Sequence, residues 1–499
     1  MCGVIGVIGS PEAAKEAFLG LITLQHRGQD AAGILTYDEN EFHSVKNIGL
    51  VESVFSREAV EGLSGSLAVG HTRYSTVGRG DVLDVQPLML NFPYGIGMVH
   101  NGNIVNYQQI KERLQKEMRV RCFTSSDTET VLNWFAHKLQ GNTFADIERA
   151  VSSVFENLHG SYSVAGIIGG GEGRQGGLFA FRDPLGLRPL ILGRKTVEDE
   201  GGGSHVAYMV ASESIPLSFL GYEFVRDLER GELLYIEANG KVHSVVIKPK
   251  SGERPAHRPC MFEWVYFAGA ESEIESTPVY GARLELGRHL ARIIKKRIDS
   301  GEIQADLVAP VPDTSRTAAT ALAEELGLPY REVLIKNRYI KRTFILGSQQ
   351  KREKAVDLKL NPIMSEIKGK SILLVDDSIV RGTTSKKIID LVRRSGAKRV
   401  YFVSTCPPIR FPCFYGIDFP DPKELVAAGR DEKAIAKELG ADGVVYQDIS
   451  SLMSALDNAS KGHVKTPCMA CLDGKYPTDV SESARFAALR DSERKRGKA

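Results

Sequence analysis

Two adjacent acids close a short apolar run in the stretch Ser371-Ile-Leu-Leu-Val-Asp-Asp-Ser-Ile-Val-Arg-Gly-Thr-Thr-Ser385. Residues 372–375 read as a buried strand, too short and too sharply ended for a helix. A parallel sheet opens its ligand crevice at the carboxyl ends of its strands, and Asp376 and Asp377 fall there. Arg381, Gly382, Thr383, Thr384 and Ser385 follow, ahead of a stretch with helical spacing. Glycine lets the backbone approach an anion, and free N–H groups at a helix start favour a phosphate. The threonine hydroxyls add donors, while the paired acids suit hydroxyls or a hard cation such as Mg²⁺. A molecule with a phosphate at one end and a diol plus metal nearby is a ribose 5-phosphate.

A second set of reactive residues lies at the start of the chain. Methionine before a small residue is normally removed, which would leave the Cys2 thiol beside its own α-amino group. With a reference pKa of about 7.7–8.0, that amine suits a general base. The alternative for Cys2 is a small buried residue in an edge strand. Later stretches add the remaining groups. Gln25-His-Arg-Gly-Gln-Asp-Ala-Ala-Gly33 is a turn-rich link, and Gly70-His-Thr-Arg-Tyr-Ser-Thr76 ends a strand at 66–69 with Arg73 in a polar cluster. His100-Asn-Gly-Asn-Ile104 follows a strand at 95–99 and offers the Asn101 amide and the Gly102 N–H. Asp127 stands just before a helix. Glutamine hydrolysis needs a cation for the α-carboxylate, an acid for the α-ammonium and two donors for the tetrahedral oxyanion. Singly, Asn101-Gly102 also reads as a turn, Arg73 as a surface charge and Asp127 as an N-cap.

The 371–385 string resembles the phosphoribosyl pyrophosphate (PRPP) motif of type I phosphoribosyltransferases. That resemblance implies that Asp376 and Asp377 face the ribose hydroxyls and that residues 380–385 hold the 5-phosphate. The N-terminal stretches resemble the class II glutamine amidotransferases over residues 2–235. This implies Cys2 as nucleophile, Asn101 and Gly102 as oxyanion hole, and Arg73 and Asp127 as ligands for glutamine. Both halves together resemble the glutamine PRPP amidotransferase family. The implied chemistry begins with a Cys2 thioester, formed as glutamine releases ammonia. Ammonia then attacks C1 of PRPP, and Mg²⁺-bound pyrophosphate leaves. The family resemblance further implies a sealed ammonia path, inhibition by purine nucleotides and a homotetramer.

These residues must be positioned by two α/β and α+β domains. The implied architecture is an N-terminal-nucleophile αββα sandwich followed by a type I phosphoribosyltransferase parallel-sheet domain. The expected boundaries are 2–235 for the glutaminase domain, 236–259 for a linker, 260–475 for the phosphoribosyltransferase domain and 476–499 for a C-terminal helix or tail. Strands are expected at 161–168, 177–182, 187–193 and 207–212, with glycine-rich loop tips between. Beyond the linker, a helix at 280–298 precedes strands at 306–311, 332–335, 372–375 and 399–405, with an additional strand at 442–447. Helices separate them, which argues a doubly wound parallel sheet. Thr314 and Ser315 lie at a strand's carboxyl end, where either hydroxyl could complete a Mg²⁺ site or cap the next helix. Residues 336–352 carry six basic residues, an unusually long connection for such a sheet. They read as a lid over pyrophosphate, with Lys336, Tyr339 and Lys351 as PRPP ligands, or as a solvated surface.

A chain of 499 residues is too long for one core. The net charge is only +2, from 64 basic and 62 acidic residues, so no global field points to nucleic acid or membrane. No apolar run is long enough to span a bilayer, and the N-terminus starts at once as a strand; the expected compartment is cytoplasmic. Seven cysteines in so long a chain are no disulfide scaffold. Cys468-Met-Ala-Cys471 has a two-residue spacing that lets two thiolates grip one metal. Zinc would draw two more ligands from Cys260, Cys413, Cys406 and His463. The family resemblance favours a [4Fe–4S] cluster on Cys260, Cys413, Cys468 and Cys471, though other members lack these cysteines. Cys122 and Cys406 read as ordinary thiols. Other class II amidotransferases would need sugar isomerase or ATP-pyrophosphatase domains, for which the 371–385 string is wrong. A PRPP sensor without chemistry would be expected to have lost Cys2, Asn101 or the acid pair.

Overall fold

The computed structural model describes residues 1–38, 41–74, 81–141, 143–170, 176–199, 201–250, 252–337, 360–419, 421–482, 485 and 488. Thirteen strands build the first half: β1 (Gly3–Ile8), β2 (Ala31–Tyr37), β3 (Phe42–Ile48), β4 (Leu67–Arg73), β5 (Leu88–Leu90), β6 (Ile96–Ile104), β7 (Gly160–Ile168), β8 (Gly177–Arg182), β9 (Ile191–Glu198), β10 (Ser204–Ala211), β11 (Glu223–Asp227), β12 (Glu232–Glu237) and β13 (Val242–Val246). They form an antiparallel seven-stranded sheet in the order β11-β9-β10-β1-β4-β2-β3 and a six-stranded one in the order β13-β12-β8-β7-β6-β5.

Alternation along these strands divides their side chains between two packing layers. Val4, Ile8, Leu35, Val69, Val99 and Ile167 fill the space between the sheets. Ile5, Val7 and Ala68 point outward to the helix Ala13–Thr23. On the other outer face, Met98, Phe179 and Phe181 pack with Val131 and Phe135 of the helix Asp127–Lys138 and Val151 of the helix Phe144–Asn157. Helix, sheet, sheet and helix thus make the expected αββα sandwich.

The β12–β13 hairpin carries the second sheet to Val246, so the first domain runs past the expected limit at 235. Residues 236–259 had read as connector because the stretch holds glycine, proline and lysine, but 236–246 contain only one glycine and one lysine. Asn239-Gly240 is instead a hairpin turn, with Gly240 at φ 85°.

A small hairpin, β14 (Glu273–Ile274) and β15 (Thr277–Pro278), opens the second half. Its sheet has four parallel strands in the order β16 (Leu307–Pro310), β19 (Ser371–Asp376), β20 (Arg399–Ser404) and β21 (Gly443–Tyr446). The antiparallel pair β17 (Leu334–Lys336) and β18 (Leu360–Pro362) stands apart and flanks residues 338–359. Parallel strands are covered on both faces, hence their continuous apolar runs. Leu373 and Val375 face Leu290, Ile294 and Leu322 from the helices Val279–Asp299 and Arg316–Leu326. Ile372 and Leu374 face Ile388, Ile389 and Ile435 from the helices Thr383–Arg394 and Glu432–Leu439. Among the described residues, no helix is long and apolar enough to cross a membrane. The seam between the halves is itself apolar, for one core joins Tyr162 and Leu187 to Met261, Trp264, Phe414 and Tyr415.

Candidate active sites

Central strand β1 lies between β10 and β4, with Gly3 opposite Thr72, so Cys2 emerges beside the end of β4. Cys2 is half-buried. Its backbone N–H donates to Asn101 Oδ1 at 3.2 Å, its Sγ lies 3.8 Å from the Tyr74 carbonyl, and its carbonyl accepts from Arg27 Nε at 2.9 Å. Asn101 is fully buried, and its Nδ2 donates to no acceptor among the described residues. An unpaired buried donor is costly, and this one sits on a side chain whose other end holds the Cys2 backbone nitrogen. Neighbouring Gly102 holds φ at 149°, and a Cβ there would stand 1.9 Å from the Ser161 carbonyl. Only glycine fits.

Arg73 is buried, with Asp84 3.8 Å away. Asp84 is fixed by the backbone N–H and the hydroxyl of Ser125, at 2.9 and 2.8 Å. Asp127 opens its helix behind the N-cap Ser126, and its Oδ2 accepts from the Ile104 N–H at 2.9 Å. Asp127 is therefore no N-cap. His100 lies 4.0 Å from its other oxygen, and burial holds the His100 pKa below its ordinary value.

Strands β4 and β6 run on through Arg73 and Asn101-Gly102, which had been expected beyond strand ends.

In the second half, β19 runs through Asp376, so both acids stand at its carboxyl end. The Asp377 N–H donates to Asp376 Oδ1 at 2.9 Å, and the Ser378 hydroxyl donates to Asp377 at 2.7 Å. Restricted solvent and the neighbouring carboxylate raise the Asp376 pKa well above its ordinary value; restricted solvent also raises that of Asp377. Such a pair calls for a cation or hydroxyl donors. Gly382, at φ 74°, turns the chain into the helix Thr383–Arg394. Thr383 and Thr384 are exposed there, and Ser385 is buried. Arg381 pairs with Glu424 at 3.0 Å, and Lys336 with Asp313 at 2.7 Å. The Ser315 hydroxyl is committed to the Val311 carbonyl at 2.5 Å, which leaves half-buried Thr314 as the freer hydroxyl. Tyr339 and Lys351 lie outside the described residues.

A crevice of about 430 Å³ runs from Arg27 and Tyr74, which touch Cys2, to the acid pair. His26, Gly28 and Tyr74 line it from the first domain; Asp376, Asp377 and residues 381–385 line it from the second. Tyr266, Phe267 and Phe419 contribute aromatic wall.

Residues 71–213 match the glutamine amidotransferase domain family, and residues 280–409 the phosphoribosyl transferase domain family. The chain is 42% identical over 492 residues to the amidophosphoribosyltransferase of Pseudomonas aeruginosa, covering 97% of this chain and 94% of that one. It is 39% identical over 495 residues to that of Methanocaldococcus jannaschii, covering 96% and 98%. It belongs to the amidophosphoribosyltransferase family. A solved structure of the glutamine PRPP amidotransferase of B. subtilis, complexed with ADP and GMP, superposes with a TM-score of 0.81 at 35% identity, covering 96% of this chain and 98% of that one. Like other amidophosphoribosyltransferases, this chain is a PRPP-utilising transferase of purine biosynthesis with a glutamine amidotransferase domain.

The site also holds buried charged residues that the sequence did not single out. Arg27 is fully buried; besides Cys2 it binds Glu213 at 2.5 Å and Glu263 of the second domain at 3.0 Å. Burial acts against the Glu213 carboxylate, but His26 and Arg27 outweigh it and hold the pKa far below the ordinary range. Arg283 donates to the carbonyls of Trp264, Tyr266 and Ala268 while its charge acts on Asp377. Arg27 sits inside the turn-rich 25–33 link, but nothing local distinguishes a buried arginine from a turn cation.

Cys260, Cys413, Cys468 and Cys471 are all buried in the seam core. Cys260 pairs with Cys468 through a backbone bridge, and burial followed by the neighbouring thiols raises the Cys471 pKa. Among the described residues, however, no group of three or more His, Cys, Asp or Glu side chains forms a metal-binding array. Cys406 is a fifth buried thiol, whose N–H donates to the Asp377 carbonyl at 2.9 Å.

Proposed function

We propose that Cys2 is the nucleophile that takes the amide of glutamine, and that Asp376 and Asp377 hold the Mg²⁺–PRPP that receives its ammonia. The observation that carries this reading is that Arg27 and Tyr74, which touch Cys2, line the same crevice as Asp376, Asp377 and residues 381–385.

Removal of Met1 converts the Cys2 backbone nitrogen, now on Asn101 Oδ1, into an α-amine beside the thiol. In the unprocessed chain, burial pushes the Met1 α-amino group down to about 5. The surroundings therefore favour a neutral amine, as a general base requires. Arg73 holds the glutamine α-carboxylate and Asp127 the α-ammonium. As Cys2 Sγ adds to the amide carbon, Asn101 Nδ2 and the Gly102 N–H take the oxyanion. Ammonia leaves with the amine's proton, and water hydrolyses the thioester to glutamate. Neutral ammonia crosses the crevice, where aromatic wall keeps it from protonation by solvent, and attacks C1. Pyrophosphate leaves, giving 5-phosphoribosylamine.

Mg²⁺ would be held by Asp376 and Asp377 with Thr314, and would neutralise the leaving pyrophosphate. The 5-phosphate meets the N–H groups of residues 382–385 and the Thr383, Thr384 and Ser385 hydroxyls. Lys336, Tyr339, Lys351 and Arg381 complete the PRPP ligands. A [4Fe–4S] cluster on Cys260, Cys413, Cys468 and Cys471 would tie the C-terminal segment into the seam; the burial of all four in one core, with Cys413, Cys260 and Cys468 acting on Cys471, supports this reading. Purine nucleotides would inhibit by occupying the phosphoribosyl site. A homotetramer in the cytoplasm completes the reading.

The test is glutamate release with and without PRPP and Mg²⁺, beside a Cys2→Ala variant supplied with free ammonia. PRPP stimulation matched by pyrophosphate release, with the variant active on ammonia but not glutamine, is expected. Glutaminase activity indifferent to PRPP would refute the coupling. Glutamine turnover by the variant would refute Cys2.

A further inference from the structure

The floor of the oxyanion hole is not made by the glutaminase domain alone. Strand β7 runs beside β6 with Ser161 opposite Asn103 and Tyr162 opposite Gly102. The Ser161 carbonyl abuts the Gly102 Cα so closely that a Cβ would meet it at 1.9 Å. The same carbonyl lies 3.5 Å from His100 Nε2, and the Ser161 hydroxyl accepts from the Asn103 N–H at 3.4 Å. Ser161 therefore touches the residues on both sides of the Asn101-Gly102 pair. Its hydroxyl has one proton to give, and gives it to the Tyr415 carbonyl of the second domain at 2.8 Å.

That carbonyl is gripped a second time from the first domain. Arg188 donates to it through Nε at 2.9 Å and through Nη2. Arg188 is fully buried; its own carbonyl accepts from the Ser163 hydroxyl at 3.0 Å, and its Nη1 lies 3.5 Å from Glu263 of the second domain. The next residue, Gly416, has φ 100°, and a Cβ there would lie 3.4 Å from both the Cα and the carbonyl carbon of Gly102. Two backbones from different domains thus meet at the oxyanion hole, held by one carbonyl that accepts from two buried side chains.

We propose that Ser161 and Arg188 are positioning residues for glutamine hydrolysis, which keep the Gly102 N–H and Asn101 Nδ2 aimed at the oxyanion by anchoring β6 and β7 to the Tyr415 carbonyl. This rests on the reading of Asn101 and Gly102 as the oxyanion hole. Neither residue touches glutamine. Their effect appears in the transition state, where a displaced donor loses strength, and not in substrate affinity. The docked second domain is then part of the glutaminase machinery rather than only the recipient of its ammonia.

The experiment compares Ser161→Ala, Arg188→Lys and Asn101→Ala in the full-length enzyme with four readouts. These are kcat and KM for glutamine, the rate at which iodoacetamide alkylates Cys2, and PRPP turnover with free ammonia. Arg188→Lys keeps a charge for Glu263 but loses the two-pronged grip, so it reports even where deletion of the hydroxyl disturbs folding. For both positioning variants, glutamine kcat is expected to fall roughly tenfold while the other three readouts stay within about twofold. Alkylation needs the thiolate and no oxyanion hole, so it separates lost alignment from a damaged nucleophile. Unchanged kcat, a rise in KM alone, or a parallel fall of all activities would overturn the proposal. Asn101→Ala tells the two failures apart. If it too leaves kcat unchanged, the oxyanion assignment is wrong; if it abolishes hydrolysis while Ser161→Ala and Arg188→Lys do not, only the anchoring is.

Discussion

At the scale of the residue, Asn101 carries the most specific expectation, because its two side-chain ends do different things. Oδ1 accepts from the Cys2 nitrogen, while Nδ2 is buried without a partner. Asn101→Asp keeps the shape and the acceptor but replaces the donor with an oxygen. A developing oxyanion would then face repulsion in place of a hydrogen bond. Glutamine kcat should fall by about 10²–10³-fold, the loss typical for one oxyanion donor, with ammonia-dependent PRPP turnover retained. A loss confined to KM would mean that Nδ2 serves glutamine binding instead. Cys2, Asn101, Arg73, Asp127, Asp376 and Asp377 could be singled out in the sequence only in combination, since each alone also has an ordinary reading and the family resemblance supplied the roles. Ser161, Arg188 and Glu263 were not legible. Their work lies in contacts such as Ser161 to Tyr415, 254 residues away along the chain, and a serine in a strand carries no mark of its partner.

At the scale of the element, periodicity located most strands of both domains but misjudged where several stop. Strand β6 was expected to end before Asn101 because an Asn-Gly pair signals a turn; the structure keeps Gly102 extended toward Ser161, at φ 149°. In the second domain the glycine signal was sound. Gly382 has φ 74°, and a Cβ would lie 2.7 Å from Leu439 Cδ2 on the helix Glu432–Leu439. Gly382→Ala should destabilise that domain by about 1–2 kcal/mol, the cost of a left-handed conformation for an L side chain. It should also tilt the first N–H groups of the helix Thr383–Arg394 away from the phosphate. The measurement is KM for PRPP in the ammonia reaction, expected to rise several-fold while glutaminase activity without PRPP is unchanged. An unaltered KM would remove this turn from the phosphate site.

At the scale of the whole molecule, two domains must stay in register for one crevice to run from Arg27 and Tyr74 beside Cys2 to the Asp376-Asp377 pair, and the seam carries charge as well as apolar surface. The β14–β15 turn inserts Glu275 between Arg182, which bonds to it, and Asp227, whose carboxylate accepts from the Glu275 and Ser276 N–H groups at 3.1 and 3.3 Å. His257 lies 3.4 Å from the other Glu275 oxygen. Burial, with Glu275 beside it, raises the Asp227 pKa to about 7; Glu275 is held down to about 2 because Arg182 and His257 outweigh its burial. The two act at opposite ends of the pH scale. A lowered pKa stabilises the fold above the ordinary carboxylate range and is lost only as pH falls towards 2. A raised one stabilises the fold below the unfolded value of about 3.9 and is lost as pH climbs through 7. Between pH 4 and 7, therefore, Asp227 makes the seam weaker as pH rises, because unfolding releases its carboxyl from a site that disfavours charge. The two N–H groups bond to different carboxylate oxygens, so Asp227→Asn keeps an acceptor for one of them and removes that titration. Its Tm should fall less steeply than that of the parent chain between pH 5 and 8, with the gap between the two widening in the variant's favour at the alkaline end. Parallel Tm curves would show that Asp227 ionises as freely in the seam as in the unfolded chain.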